Sequence, residues 1–270
     1  MRVSGGAALR QYPYQEGPLV PATTRLFVLS ADAAEANRSP AELALVGDPA
    51  ALCAGLLDAL PADLLARAAP AELATPSARP HPAATDGPLI PADVFHLMAE
   101  LLAEDTVVIE ESPSSRPALQ ALVPARRPLG FLSAAMGGLG FAMPAAIGVK
   151  MAQRDRPVIA VIGDGSSLYS IQSLWTAGKM DTGVVFIVLA NAGYAVMDLL
   201  AGQRNAKPAW PGFPEVSVST LAQGFGVEAV KIADREQLRS TLTSVLPDLA
   251  HRTTPLVIEI TVAADTTFAP

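Results

Sequence analysis

A chain of 270 residues that is 50% hydrophobic and 17% charged carries enough apolar surface for one large or two modest cores. Its net charge of −7 argues against a nucleic-acid or anionic-membrane partner. The single Cys53 excludes an internal disulfide and fits a reducing cytoplasm, and neither a signal-peptide core nor a run of transmembrane length is apparent.

Residues 1–21 are rich in Gly, Pro and Tyr and read as loop. Residues 25–30 (RLFVLS) read as a strand, 32–37 as a short helix or turn, and 43–46 (LALV) as a second strand. Residues 48–60 read as an amphipathic helix capped by Asp48. Cys53 lies in its Ala/Leu-rich pattern and reads as a buried small hydrophobe, not a nucleophile. Two strands are too few for a complete domain, so 1–66 reads as part of a doubly wound one. Residues 67–88 form a Pro/Ala linker, a semi-stiff spacer in which His81 is solvated. His81, His96 and His251 share no metal-ligand spacing.

Residues 91–104 read as a helix with Pro91 in its first turn and Val94, Phe95, Met98 and Leu101 on its apolar face. Residues 106–109 (TVVI) read as a strand, with Glu110, Glu111, Ser112 and Ser114 in the loop after it. Gly137 to Gly140 is too glycine-dense for a strand and precedes a helix from about Pro144. It lacks G-x-G-x-x-G after a strand, which argues against a dinucleotide site.

Residues 157–162 form a short apolar run, ended by Gly163-Asp164-Gly165. Ser166 and Ser167 read as N-caps of a helix with Ile171, Leu174 and Trp175 on one face. Residues 184–190 form a second apolar strand, ended by Asn191-Ala192-Gly193. A right-handed βαβ unit of this kind puts Asp164 and Asn191 side by side at the carboxyl rim of the sheet, where ligands of open α/β folds bind. Oxygens from Asp164, Asn191 and the Gly193 carbonyl suit Mg²⁺, and the helix N-terminus at Ser166 to Leu168 suits an anion. A metal and a helix N-terminus at one point imply a diphosphate. Residues 195–202 continue as a helix lining a substrate cavity, and 203–214 as a loop that could act as a lid. Then come a helix at 219–225 stopped by Gly226, a strand at 227–232, a helix at 235–246 and a last strand at 255–262. From Pro91 onward that makes about five strands.

GDG followed 24 residues later by Ala190-Asn191 resembles the thiamine diphosphate signature, which normally reads GDG…NN. The segments AMGGLGFAMPAAIGV (135–149), VIAVIGDG (158–165) and Tyr169-Ser170-Ile171 resemble the benzoylformate decarboxylases, with 2-oxoacid decarboxylases and acetolactate synthases behind them. The resemblance covers residues 5–262. It implies an α/β fold with a doubly wound, mostly parallel sheet at 89–270, preceded by a partial Rossmann-like middle domain. It implies thiamine diphosphate and Mg²⁺ as cofactors. Ser114, Gly163, Asp164, Gly165, Ser166 and Tyr194 would bind the diphosphate side. Asp164, Asn191 and Gly193 would bind the metal.

The same resemblance makes Leu139 the catalytic wedge that bends the cofactor, between Gly138 and Gly140, with the Gly137 carbonyl receiving the aminopyrimidine amine. Ser133, Val196, Met197 and Leu200 would face a small 2-oxoacid, in a wall that is apolar but not aromatic. The family's pyrimidine domain, with its essential glutamate, has no counterpart here. That implies one subunit of a split cytoplasmic lyase, completed by a pyrimidine-domain chain in a hetero-oligomer such as a dimer of heterodimers. The alternative is a non-catalytic remnant or regulatory module; Ala190, in place of the usual first Asn, favours it.

Overall fold

A computed structural model describes residues 2–4, 22–61, 87–134, 137–203, 205–206 and 210–264. Most of the expected 67–88 linker, with His81, lies outside the described residues. The chain divides into two compact units, Met1–Thr75 and Pro76–Ala269.

The first unit holds β1 (Arg2–Ser4), β2 (Leu26–Ser30), α1 (Ala33–Arg38), β3 (Leu43–Val46) and α2 (Pro49–Ala59). The strands form a parallel sheet in the order β1-β2-β3. Arg2–Ser4 was expected to be loop; its three residues are too short a run to show periodicity, and only pairing with Leu26 to Val28 makes them a strand. Asp48 caps α2 as expected, its carboxylate accepting from the Ala50 and Ala51 N–H groups. The expected buried face of α2 is absent: none of its residues is buried, Leu56 and Leu57 are exposed, and so is Cys53. The core of this small sheet is Leu26, Val28 and Leu29 on β2.

The second unit is a six-stranded parallel sheet. Its elements are α3 (Pro91–Leu101), β4 (Val107–Glu111), α4 (Arg116–Leu122), β5 (Phe131–Ser133), α5 (Ala142–Ala152), β6 (Val158–Gly163), α6 (Asp164–Ser167), α7 (Ser173–Lys179), β7 (Val184–Ala190), α8 (Ala195–Gln203), α9 (Val218–Gly224), β8 (Glu228–Ile232), α10 (Arg235–Val245) and β9 (Leu256–Thr261). The strand order is β5-β4-β6-β7-β9-β8. The central strands are apolar throughout because both faces are covered. Ile159 and Val161 face one core with Phe95, Met98, Leu119 and Leu242. Val158, Ala160 and Ile162 face the other with Met143, Ile147, Leu174 and Ala222. At the start of α3, Asp93 accepts from the Ile90 N–H and pairs with Arg235 at 2.7 Å, joining α3 to α10. No helix among the described residues is long and apolar enough to cross a membrane.

Five expectations are corrected. There are six strands, not five, because Phe131–Ser133 pairs with β4 as a short edge. β4 runs on through Glu110 and Glu111, which were expected in the following loop; both carboxylates are buried and satisfied, so their charge does not end the strand. Helix α5 begins at Ala142 rather than near Pro144. Ser166 and Ser167 lie inside α6, not before it; Gly163 is the N-cap. The helix expected after them is broken in two. Ser167 Oγ donates back to the Asp164 carbonyl at 2.6 Å, and the Tyr169 and Ser170 N–H groups bond to carbonyls three residues back. Such local bonds compete with a continuous helix. The break turns Trp175 outward, leaving it 54% exposed while Leu174 is buried. Gly226 ends α9 at φ +79°, the left-handed stop expected from its sequence.

Candidate functional site

Strands β6 and β7 pair in register from Val158↔Val184 to Gly163↔Leu189, so both end at the same rim. Asp164 follows β6 directly and is 5% exposed. Its Oδ1 accepts from the Gly165 N–H at 2.8 Å and its Oδ2 from the Ala192 N–H at 2.6 Å. One carboxylate thus ties together the two turns at the rim. Burial raises its pKa above the usual range, while the N–H groups of Ala192, Gly165 and Asn191 pull it back down. Across from it, Asn191 Oδ1 accepts from the Gly193 N–H at 3.1 Å, an Asx turn. Between them Ala192 sits at φ +58°, a left-handed conformation rare outside glycine; its bond to Asp164 helps hold it there.

Tyr194 lies directly over Gly165. A Cβ on Gly165 would stand 2.5 Å from Tyr194 Cε1 and 3.0 Å from Phe213 Cζ, so any other residue there would have to displace the Tyr194 ring. Tyr194 and Phe213 meet edge to face with centroids 5.2 Å apart. The Phe213 N–H donates to the Ala192 carbonyl at 3.1 Å, and Trp210 Nε1 donates to Asp198 of α8 at 2.9 Å. The described part of the expected lid loop is therefore fastened to the rim. Residues 204 and 207–209 lie outside the described residues. Phe213 carried no sequence signal of its own, since an aromatic between Gly212 and Pro214 reads as loop.

A second segment, between β5 and α5, is held at the end of β4. Gly137 and Gly140 adopt φ +66° and +98°, which only glycine takes without strain. Gly140 backs onto Tyr169, whose Cβ would lie 3.4 Å from an added Cβ. Glu111 accepts from the Gly140 N–H at 2.6 Å and from the Ala142 N–H at 2.5 Å, capping α5. Half-buried Leu139 is thus carried on a loop clasped between Glu111 and Tyr169, with Gly138 exposed beside it. Residues 135 and 136 lie outside the described residues. Sequence reading missed Glu111; the signal available was a pair of acids running straight on from an apolar strand. Its neighbour Glu110 is fully buried and accepts from the Ser112 N–H, Arg116 Nε and Ser133 Oγ at 2.6–2.7 Å. Ser133, read as a pocket residue, thus spends its hydroxyl proton on Glu110. Ser114 is half-buried just ahead of α4, and on α8 Val196 and Leu200 are half-buried and Met197 exposed.

Glu111→Gln is expected to destabilise the protein by about 1–3 kcal/mol, because an amide NH₂ then faces one of two buried N–H donors. Urea denaturation measures it; parent-like stability would show that Glu111 does not anchor the Gly137 to Gly140 loop.

No group of three or more His, Cys, Asp or Glu side chains is placed to hold a metal among the described residues. A cation at this rim would rest on one carboxylate, an amide oxygen and a main-chain carbonyl, with the rest from water or a ligand's phosphates. That hard-oxygen set fits Mg²⁺. The first turn of α6 also leaves backbone N–H groups without intrahelical partners, suited to an anion.

The parallel sheet, the buried Asp164 between two rim turns and the glycine-lined approach define an α/β domain of the diphosphate-binding type. The family described as "Thiamine pyrophosphate enzyme, C-terminal TPP binding domain" matches residues 114–260, and the chain belongs to it. Benzoylformate decarboxylase of Pseudomonas aeruginosa is 36% identical over 263 residues, covering 96% of this chain and 47% of that protein. The acetolactate synthase large subunit of Parasynechococcus marenigrum is 30% identical over 181 residues, covering 65% of this chain and 28% of that protein. The crystal structure of benzoylformate decarboxylase from Polynucleobacter necessarius superposes with a TM-score of 0.85 at 25% identity, over 97% of this chain and 49% of that one. The chain thus spans about half the length, or less, of the relatives it matches.

Proposed function

We propose that this chain is the diphosphate-binding subunit of a thiamine diphosphate- and Mg²⁺-dependent 2-oxoacid decarboxylase or carboligase, a cytoplasmic lyase completed by a chain carrying the pyrimidine-binding half. The observation that carries the reading is Asp164, a buried carboxylate fastened to the turn that holds Asn191 and Gly193. Asp164, Asn191 and the Gly193 carbonyl would hold Mg²⁺. The Ser166 N–H, in the first turn of α6, would meet the diphosphate, with Ser114 and Tyr194 beside it. Bound here, the cofactor supplies the carbon nucleophile and electron sink that decarboxylation of a 2-oxoacid needs. Leu139, on its clasped loop, would set the cofactor's bend, and the Gly137 carbonyl would receive the ring amine. Val196, Met197 and Leu200 of α8, with Ser133, would bound the substrate side.

The partner reading rests on reach. Glu110 and Glu111 are both committed, one to Arg116 and Ser133, the other to the start of α5. Neither is free to protonate a pyrimidine ring. Tyr169, 59% exposed beside the Gly140 turn, leaves apolar area at the rim for a second chain to cover. Ala190, where the signature has its first Asn, supports the second reading, a binding module without turnover.

The test uses the purified chain with thiamine diphosphate, Mg²⁺ and a panel of 2-oxoacids, following CO₂ release with and without the product of the neighbouring reading frame. The expected result is turnover only with that product. Robust turnover by the lone chain would refute the split-enzyme reading, and none with the partner would support the binding module.

A further inference from the structure

At the opposite end of the sheet from Asp164, the turns leading into β7 and β9 and the end of α5 line an open cavity of about 190 Å³. Strand β7 spans seven residues. At about 3.3 Å per residue, roughly 20 Å separates this cavity from the rim. Its walls include the cations Lys150, Arg154 and Arg252, the carboxylate Asp181, and the thioethers of Met151 and Met180.

Lys150 is the unusual member. It is 6% exposed, and its Nζ donates to the Arg156 carbonyl at 2.9 Å. An ammonium carries three N–H donors, and the ion pairs among the described residues do not include this one. Burial depresses its pKa, an effect Asp155 only partly opposes. Arg252 is half committed: Nε donates to the Thr254 carbonyl and Nη2 pairs with Glu228 at 3.0 Å. Arg154 is exposed at the mouth. A buried cation without a paired anion is costly. Lys150 lines the cavity together with Arg154, Arg252 and Asp181.

We infer that this cavity is a second binding site, for a small oxyanion, a carboxylate or a phosphate, that completes the ion pairing of Lys150. The site is separate from the diphosphate rim and does not depend on the reading proposed for it. The two turns that frame it are in close contact, because Gly183 packs its backbone against the Arg252 carbonyl. Binding would therefore act on the starts of β7 and β9 together.

The test is an amide NMR titration of the full chain at constant ionic strength, one arm with inorganic phosphate and one with acetate. Saturating shifts at Asp181, Thr182, Gly183 and Thr253 in either arm, with Kd on the order of millimolar, are the expected result. The stronger arm identifies the oxyanion. Lys150→Met should weaken that binding about tenfold or more. Arg154→Gln, at an exposed position that does not threaten folding, should weaken it about threefold and keeps the test decisive if Lys150→Met fails to fold. No saturation in either arm, shifts confined to Gly165 to Leu168, or parent-like affinity in both variants would overturn the site.

Discussion

Asp164→Ala is expected to abolish Mg²⁺-dependent thiamine diphosphate binding, lowering cofactor affinity on the order of 100-fold or more. The substitution removes the single charged oxygen among the proposed metal ligands. It also unfastens the turn that carries the other two. The Gly165 and Ala192 N–H groups lose their acceptor, and Ala192 loses a bond that holds it at φ +58°. The stability change should be smaller than this contact list suggests. Burial raises the pKa of Asp164, so the bare carboxylate is itself a partial liability that the substitution relieves. Affinity should therefore fall much further than melting temperature. Asp164→Asn separates the two effects: it keeps an acceptor for one N–H but loses the charge, and it should bind the cofactor almost as poorly. Titration calorimetry on the chain, alone and combined with the proposed pyrimidine-domain partner, decides it. Unchanged affinity in Asp164→Ala would sink the metal-site assignment.

Gly183→Ala is expected to cost about 3 kcal/mol or more in stability, lowering the melting temperature by about 6–12 °C. An added Cβ would lie 1.6 Å from the Arg252 carbonyl oxygen and 2.4 Å from its carbon. Both are backbone atoms, so no side chain can swing away. The β7 and β9 entries would have to part, and those strands are neighbours inside the six-stranded sheet. Gly148, in the middle of α5, is the control: nothing lies within 4 Å of its added Cβ. Gly148→Ala should be neutral or stabilising by up to about 1 kcal/mol, through helix propensity and a stiffer unfolded chain. Thermal unfolding followed by circular dichroism compares them. Similar melting temperatures for the two variants would show that the Gly183 contact is not tight.

Local patterning settled much of this protein. Strands β6 and β7 were legible almost to the residue, because a parallel strand buried on both faces is an unbroken apolar run closed by turn residues. Asp164 and Asn191 were legible for the same reason: each is the first polar side chain after such a run, and right-handed βαβ connectivity leaves them one place to meet. Asp48 and Gly226 were read from capping chemistry, which needs only a few neighbouring residues. Tertiary structure alone decided the rest. Arg2–Ser4 and Phe131–Ser133 are strands only because an edge accepts them. Cys53 and Trp175 are exposed because no described segment covers them, which no helical pattern can announce. Glu110 and Glu111 look like loop residues until Arg116, Ser133 and the start of α5 are brought to their carboxylates. The rings of Tyr194 and Phe213 reach Gly165, and Arg252 reaches Gly183, across long stretches of chain. Periodicity and turn chemistry act over a few residues. A close approach, a buried charge's partner or a covered face is set by segments that meet only when the sheet is complete.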